Sequence, residues 1–557
     1  MTDRLDAYHF YERSWDSYEA LYEAFEWEIP ETFNMADYVC DRWATDDERV
    51  AVYADGREAT RETITFADLA EMTNRLANLL VEQGVEEGDR VGVNVPQKAV
   101  TAACHIAAWK IGAVSVPLSV LFGPDALRYR LAHAEATACI VDGTNVETFR
   151  QVADDLPLVD TVLTVDCDDV TGAEQPLRKE IANRSPRFDA ARTAPADDAL
   201  IIYTSGTTGD PKGVRHGHRF LLGHLPAFVM TFANLANRSD DVYWMTLEWA
   251  WVGLINLVFC PLFYGRPVVA YEHGSFDPAE AFAVIDRYNV TTFFTVPSAL
   301  RMMMQVDTET VSKHDLASVR VVPTGGEEVT PNLIEWAAET FDGAVVHTAY
   351  GQTEANIIVG DCAALYEPRR GWMGRAIPGH RVAILDEESP TVLDPGEVGE
   401  ISVAYEGDPV CFTDYWRDPE KTATKRDDGW HRMEDLGRRD ADGYFSFISR
   451  TDDVILSAGY KIGPEEVEAA LTAHDAVADA GVIGVAHETR GEVPKAFVVL
   501  AEDVDQSDDL RADLVEAVKD DLAKYAYPHE VEFVTDLPRS AIGKIRRTVL
   551  RDREGDE

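Results

Sequence analysis

The stretch Ile201–Val214 reads IIYTSGTTGDPKGV. Its opening residues are β-branched or aromatic, the composition of a buried strand end. Thr204–Lys212 then brings together the hydroxyls of Thr204, Ser205, Thr207 and Thr208, the glycines Gly206 and Gly209, an Asp-Pro pair and Lys212. Glycines let the backbone turn successive N–H groups into one concavity, and the hydroxyls and the ammonium add donors and charge, so the chemistry is that of phosphate binding. The spacing is not that of a G-x-x-x-x-G-K-[ST] loop. An exposed turn uses the same residue types, but the full string directly after a strand favours an anion site.

Such a loop must be held by strands and helices. Thr65–Gly84 carries apolar residues at helical spacing behind a threonine cap. Arg90–Pro96, a helix over Ala99–Ile111 and Ala113–Leu118 make a β-α-β unit. Cys139–Asp142, Val159–Val165 and Leu200–Tyr203 read as further short strands, and Asp168–Asp198 as a polar excursion. Beyond the loop come strands at Tyr243–Leu247, Pro267–Tyr271 and Thr291–Val296, with helices over Pro278–Asn289 and through Met302–Met304. Those methionines read as core filler. Val319–Pro323 runs into Thr324-Gly325-Gly326-Glu327-Glu328, and Val345–Thr348 into Ala349-Tyr350-Gly351-Gln352-Thr353-Glu354. This alternation predicts an α/β fold with its sites at strand ends. Gly396–Phe447 changes to short β segments with turns, a small β-barrel-like part. A final α+β unit follows, with helices over Pro464–Ala473 and Leu510–Tyr525. The expected division is a large domain of parallel and mixed sheets with helices over 1–451, and a small mobile one over 452–557.

A chain of 557 residues exceeds a single core. No run of 18 apolar residues predicts a membrane span, and the N-terminus lacks the build of a signal peptide. The seven cysteines are dispersed with no C-x-x-C spacing, which suits reduced thiols in a cytoplasmic protein. Acidic residues number 99 against 51 basic ones, a net charge of −48, and only about a dozen of the basic residues are lysine. Acid spread along the whole chain suits molar salt, where a Debye length of about 3 Å screens self-repulsion. It disfavours nucleic acid as a partner.

With these motifs in this order, the chain resembles the adenylate-forming superfamily, and its motif pattern is similar to that of medium-chain acyl-CoA synthetases. The resemblance implies ATP, a carboxylic acid and CoA as substrates, with Mg²⁺ accompanying ATP. It implies that Thr204–Gly209 and Lys212 bind phosphates. Gly326, Glu327, Glu328, Thr348, Ala349, Tyr350, Gly351, Gln352 and Thr353 would form the adenine slot, where Tyr350 offers a stacking face. Glu354 would hold Mg²⁺, a hard cation suited to carboxylate oxygen. Asp435 and Arg450 would meet the ribose, although Met433-Glu434 replaces the usual Thr-Gly before the aspartate. Asp452 would be the hinge, Ala458-Gly459-Tyr460-Lys461 the CoA tunnel, and Lys544, in PRSAIGKIRR, the adenylation lysine.

The resemblance also bears on the acid. Acetate-activating relatives carry tryptophan before Gln-Thr-Glu; here the position is Gly351, which points to a medium-chain, branched or aromatic acid. Trp249 and Trp251, on the strand end after the phosphate loop, would narrow the pocket from elsewhere. Acetate or propionate, a luciferase-like oxidation, a carrier-protein acceptor, a non-catalytic nucleotide binder and assembly into a homo-oligomer stay open at this point.

Overall fold

The structure is a computed structural model that describes residues 3–56, 61–204, 210–272, 274–326, 329, 331–457, 460–487, 489–501, 504–522, 526–539 and 545–555. Two large sheets dominate. In the eight-stranded one, Val114–Pro117, Arg90–Asn94, Ala136–Asp142, Thr161–Val165 and Glu174–Pro176 run parallel, while Asp198–Thr204, Lys212–Gly217 and Asp414–Tyr415 complete the other side. The nine-stranded sheet has a parallel centre that includes Val268–Glu272, Tyr243–Met245, Thr292–Phe294, Val321–Gly325 and Val345–Gln352, with antiparallel strands toward both edges. The strands of both centres read as near-continuous apolar runs because helices cover both faces.

The helix Phe66–Glu82 starts where its cap predicts: Thr65 and Asp68 form a reciprocal capping box. Ala99–Ile111 is buried nearly all round and ends at Gly112 in the left-handed region. Both helices pack together; Phe66, Leu69, Ile106 and Trp109 join the cluster that contains Phe220, Phe228, Ile255 and Phe259, while Leu76, Leu79, Leu80 and Ile111 join a second cluster with Val91 and Val93. The N-terminal aromatics Tyr8, Tyr18 and Phe33 are buried in the first of these clusters.

Two readings need correction. Asp168–Asp198 is not wholly irregular: it contains the edge strand Glu174–Pro176 and the helix Leu177–Ile181. Of the three methionines only Met303 is core; Met302 and Met304 are exposed, because successive helical positions cannot share one face. Trp249 and Trp251 stand past the end of their strand at Met245, with Trp249 buried in the main core and the Trp251 ring edge-on to Phe122 at 6.1 Å.

Val382–Leu385, Val398–Ala404, Trp430–Arg439, Arg426–Asp427 and Phe445–Arg450 form a five-stranded antiparallel sheet. The last unit packs the helices Pro464–Thr472 and Asp508–Asp521 over strands that include Val477–His487 and Gly491–Leu500, around its own apolar cluster.

Candidate functional site

Two pairs of neighbouring strands carry the motifs. Thr204 and Lys212 are Cα partners across an antiparallel pair, so the phosphate-loop string begins and ends at one place. Ser205, Gly206, Thr207, Thr208 and Gly209 lie outside the described residues. The two stretches read as the adenine slot are adjacent parallel strands in register, Thr324 beside Thr348 and Gly325 beside Ala349. They approach so closely that a Cβ on Gly325 would meet the Ala349 carbonyl oxygen. Gly326 turns away with φ +84°, a conformation glycine adopts without strain. Glu327 and Glu328 lie outside the described residues.

The second strand does not stop at Thr348. It runs through the motif to Gln352 and pairs with Ala355–Gly360, with an irregularity at Gly351. A Cβ on Gly351 would run into the Ile357 backbone nitrogen. The space beside Gly351 is therefore taken by its own hairpin, where Ile357 holds φ +54°. Thr353 and Glu354 form the turn that follows.

Asp435 gathers the motif residues. It is buried, and its Oδ2 accepts from the Tyr350 hydroxyl (2.7 Å) and from Gln352 Nε2 (2.6 Å). The Gln352 amide also donates to the Met433 carbonyl (2.5 Å). Burial, then the Asp435 carboxylate, push the Tyr350 phenol well above its ordinary range, so it stays a donor. Asp435 and Arg450 are cross-strand partners, with Arg450 Nε 3.8 Å from Asp435 Oδ1 and 3.2 Å from Asp452 Oδ1. Burial opposes the arginine's charge, but Asp435, Asp452 and Glu434 outweigh it and raise its pKa.

Glu354 is buried, and its Oε1 accepts from the Tyr415 hydroxyl at 2.6 Å. The Tyr415 ring faces Lys212 Nζ at 5.4 Å, which joins the acid after Gln-Thr to the lysine after the phosphate loop. Burial, with Lys421 and Lys425 close by, lowers the Lys212 ammonium to about 8. Among the described residues no group of three or more His, Cys, Asp and Glu is placed to hold a metal. A cation at Glu354 would take most of its ligands from phosphate and water, the habit of Mg²⁺ with nucleotides, and the carboxylate fits that donor chemistry.

Sequence reading missed Tyr415, the lysines of the helix Pro419–Thr424 and its exit, and Asp361. Lysines clustered in a lysine-poor chain were the available signal for the second. Asp361 is buried beside the strand Val345–Gln352, where its Oδ2 accepts from Thr348 N–H (2.9 Å), and burial pushes it up to about 7.

Strands Ile455–Ser457 and Tyr460–Ile462 are paired and bracket Ala458 and Gly459, which lie outside the described residues, as do the side chains of Tyr460 and Lys461. Lys544 lies outside them too, between the paired residues Arg539 and Ile545.

The site ties Lys212 through Tyr415 to Glu354, beside the Asp435–Arg450 pair, an arrangement that suits a nucleotide-dependent enzyme. The chain belongs to the AMP-binding enzyme family, whose model matches residues 40–416, and the AMP-binding enzyme C-terminal domain matches 466–544. It is an AMP-forming acyl-CoA synthetase: carboxylate and ATP give acyl-AMP and pyrophosphate, and the CoA thiol then displaces AMP. It is 33% identical to an acetyl-coenzyme A synthetase of Bacillus subtilis (strain 168) over 96% of this chain and 94% of the relative. Its fold matches an acyl-CoA synthetase of Brucella canis (TM-score 0.75, 32% identity, 97% of this chain and 99% of that one). It also matches a benzoate CoA ligase from Burkholderia xenovorans LB400 (TM-score 0.81, 26% identity, 93% and 100%). No helix among the described residues is long and apolar enough to cross a membrane.

Proposed function

We propose that this synthetase activates a medium-chain, branched or aromatic carboxylate, and that its nucleotide site is the convergence of Lys212, Tyr350, Gln352, Glu354, Asp435 and Arg450. The observation that carries the reading of the site is Asp435, a buried carboxylate fixed by two residues of the adenine strand and faced by Arg450. A carboxylate ready to accept from a ribose must be held in place before the nucleotide arrives.

Attack of a carboxylate on the α-phosphorus brings two anions together, so the site must neutralise charge and hold the reactants in line. Lys544 would bridge the carboxylate and the α-phosphate. Thr204–Gly209 and Lys212 would receive the departing pyrophosphate. Mg²⁺, held by Glu354, would neutralise phosphate charge. Rotation of the small domain, 452–557, about Asp452 would then exchange Lys544 for the 458–461 segment that guides the CoA thiol.

The likeness to a benzoate CoA ligase supports an aromatic or longer acid. The likeness to an acetyl-coenzyme A synthetase keeps acetate as the second reading. The acidic composition supports a cytoplasm of molar salt.

The test is pyrophosphate release in molar KCl, with ATP, Mg²⁺ and carboxylates from acetate to benzoate, with and without CoA. A C4–C10 or aromatic acid as the best substrate, and a CoA thioester as product, is the expected result. Acetate as the best acid overturns the substrate reading, and full adenylation by Lys544→Ala overturns the role of Lys544.

A further inference from the structure

Glu434 stands in the left-handed region with φ +55°, where a long side chain is strained. It sits in an irregularity of the strand Trp430–Arg439: Glu400 pairs with Leu436 but Ser402 pairs with Arg432, so Met433–Asp435 bulge out of the ladder. Bulges re-aim side chains, and strained positions persist where the surroundings over-determine them.

The surroundings of Glu434 do so. Its N–H donates to Glu400 Oε1 at 2.8 Å, and Glu400 is itself held by Arg432 at 2.7 Å. Its carbonyl accepts from both the N–H (2.9 Å) and the hydroxyl (3.2 Å) of Thr451. Its carboxylate pairs with the buried Lys425 and lies 3.6 Å from Arg450 Nη2. One residue thus grips Arg450 by charge and Thr451 by backbone, at the end of the strand that leads into Asp452. Glycine would relieve the backbone strain but could not make either ion pair.

We propose that Glu434 is a positioning residue of the nucleotide site, which holds Arg450 against Asp435 and fixes the strand end before the hinge. This rests on the reading of Asp435 and Arg450 as the ribose-binding pair. The role is exerted through Arg450, so it shows in ATP binding more than in the acid or CoA.

Three variants test it: Glu434→Gln, which keeps the strain and loses the charge; Glu434→Gly, which loses both; and Asp435→Asn. Steady-state kinetics and Tm are measured for each in molar KCl. The expected result is an ATP KM raised about fivefold in both Glu434 variants, with the KM values for acid and CoA within about twofold of the parent. Glu434→Gly should reach this with a Tm no lower than that of Glu434→Gln. Parental ATP KM in both Glu434 variants, alongside a large loss in Asp435→Asn, overturns the proposal and leaves the ribose reading standing. So does a uniform loss for all three substrates that tracks Tm, since a purely structural role predicts it. A parental ATP KM in Asp435→Asn overturns the ribose reading itself.

Discussion

Tyr350 and Asp435 are 85 residues apart in sequence and share a 2.7 Å hydrogen bond inside the protein, where the phenol can only donate. Gln352 reaches the same oxygen. These two bonds fix the Asp435 carboxylate. Tyr350→Phe keeps the ring and removes the donor. Hydrogen bonds to charged groups contribute about 1.5–3 kcal/mol, so kcat/KM for ATP should fall roughly tenfold to a hundredfold. A parental value would mean that Gln352 alone orients the carboxylate.

Lys212 is held down to about 8 by burial, with Lys421 and Lys425 adding like charge. It should lose its proton as the pH rises through that value, and with it the attraction for phosphate. The profile of kcat/KM for ATP, which reports the free enzyme, should show a basic limb near pH 8. Lys421→Met removes a like charge and should move that limb to higher pH. An unmoved limb would assign it to another group.

Asp361 is raised by burial from 3.8 to about 7. Its folded-state pKa lies above the unfolded one, so its favourable contribution is complete below about pH 3.8 and is lost as the pH rises through about 7. Asp361→Asn should gain stability over the parent across that window, by a few kcal/mol at most. Denaturant titrations of both proteins at pH 4 to 8 measure it. A pH-independent difference would show that the acid is not shifted.

Gly351→Trp would drive a side chain into the backbone of Ile357 and Ala355. The expected outcome is a lower Tm and lost activity with every acid, since overpacking against backbone costs about 1–3 kcal/mol or more. A folded variant that gains acetate activity would show that the hairpin can move aside. Gly351→Ala, measured by Tm, gives the smaller version of the same strain.

A net charge of −48 should make stability depend on salt. Tm is expected to rise between about 0.1 and 1 M KCl, as the Debye length shrinks from about 10 to 3 Å. A flat response would remove the support for adaptation to molar salt.

Much of the fold was legible locally. The helix Phe66–Glu82 announces itself by its cap and its apolar spacing, because both signals act within a few residues. Edge elements such as Glu174–Pro176 were not legible, since their polar, half-buried residues pair only where a neighbouring strand offers an edge. The nucleotide motifs were readable as strings, but the hairpin that fills the space beside Gly351 was not.

The sequence by itself determined which groups are present: the loop donors, Lys212, Glu354, Asp435, Arg450 and an acidic surface. It also determined the order of the strands that carry them, because hydrophobic runs and turn residues are local properties of the chain. Only the tertiary structure decided that Tyr350 and Gln352 share one Asp435 oxygen, that Tyr415 stands between Lys212 and Glu354, and that Glu434 is bent back onto Arg450. Those meetings join residues well separated along the chain, from Glu434 and Arg450 on neighbouring strands to Lys212 and Tyr415. They depend on sheet register and on a bulge in one strand, and no local propensity encodes either.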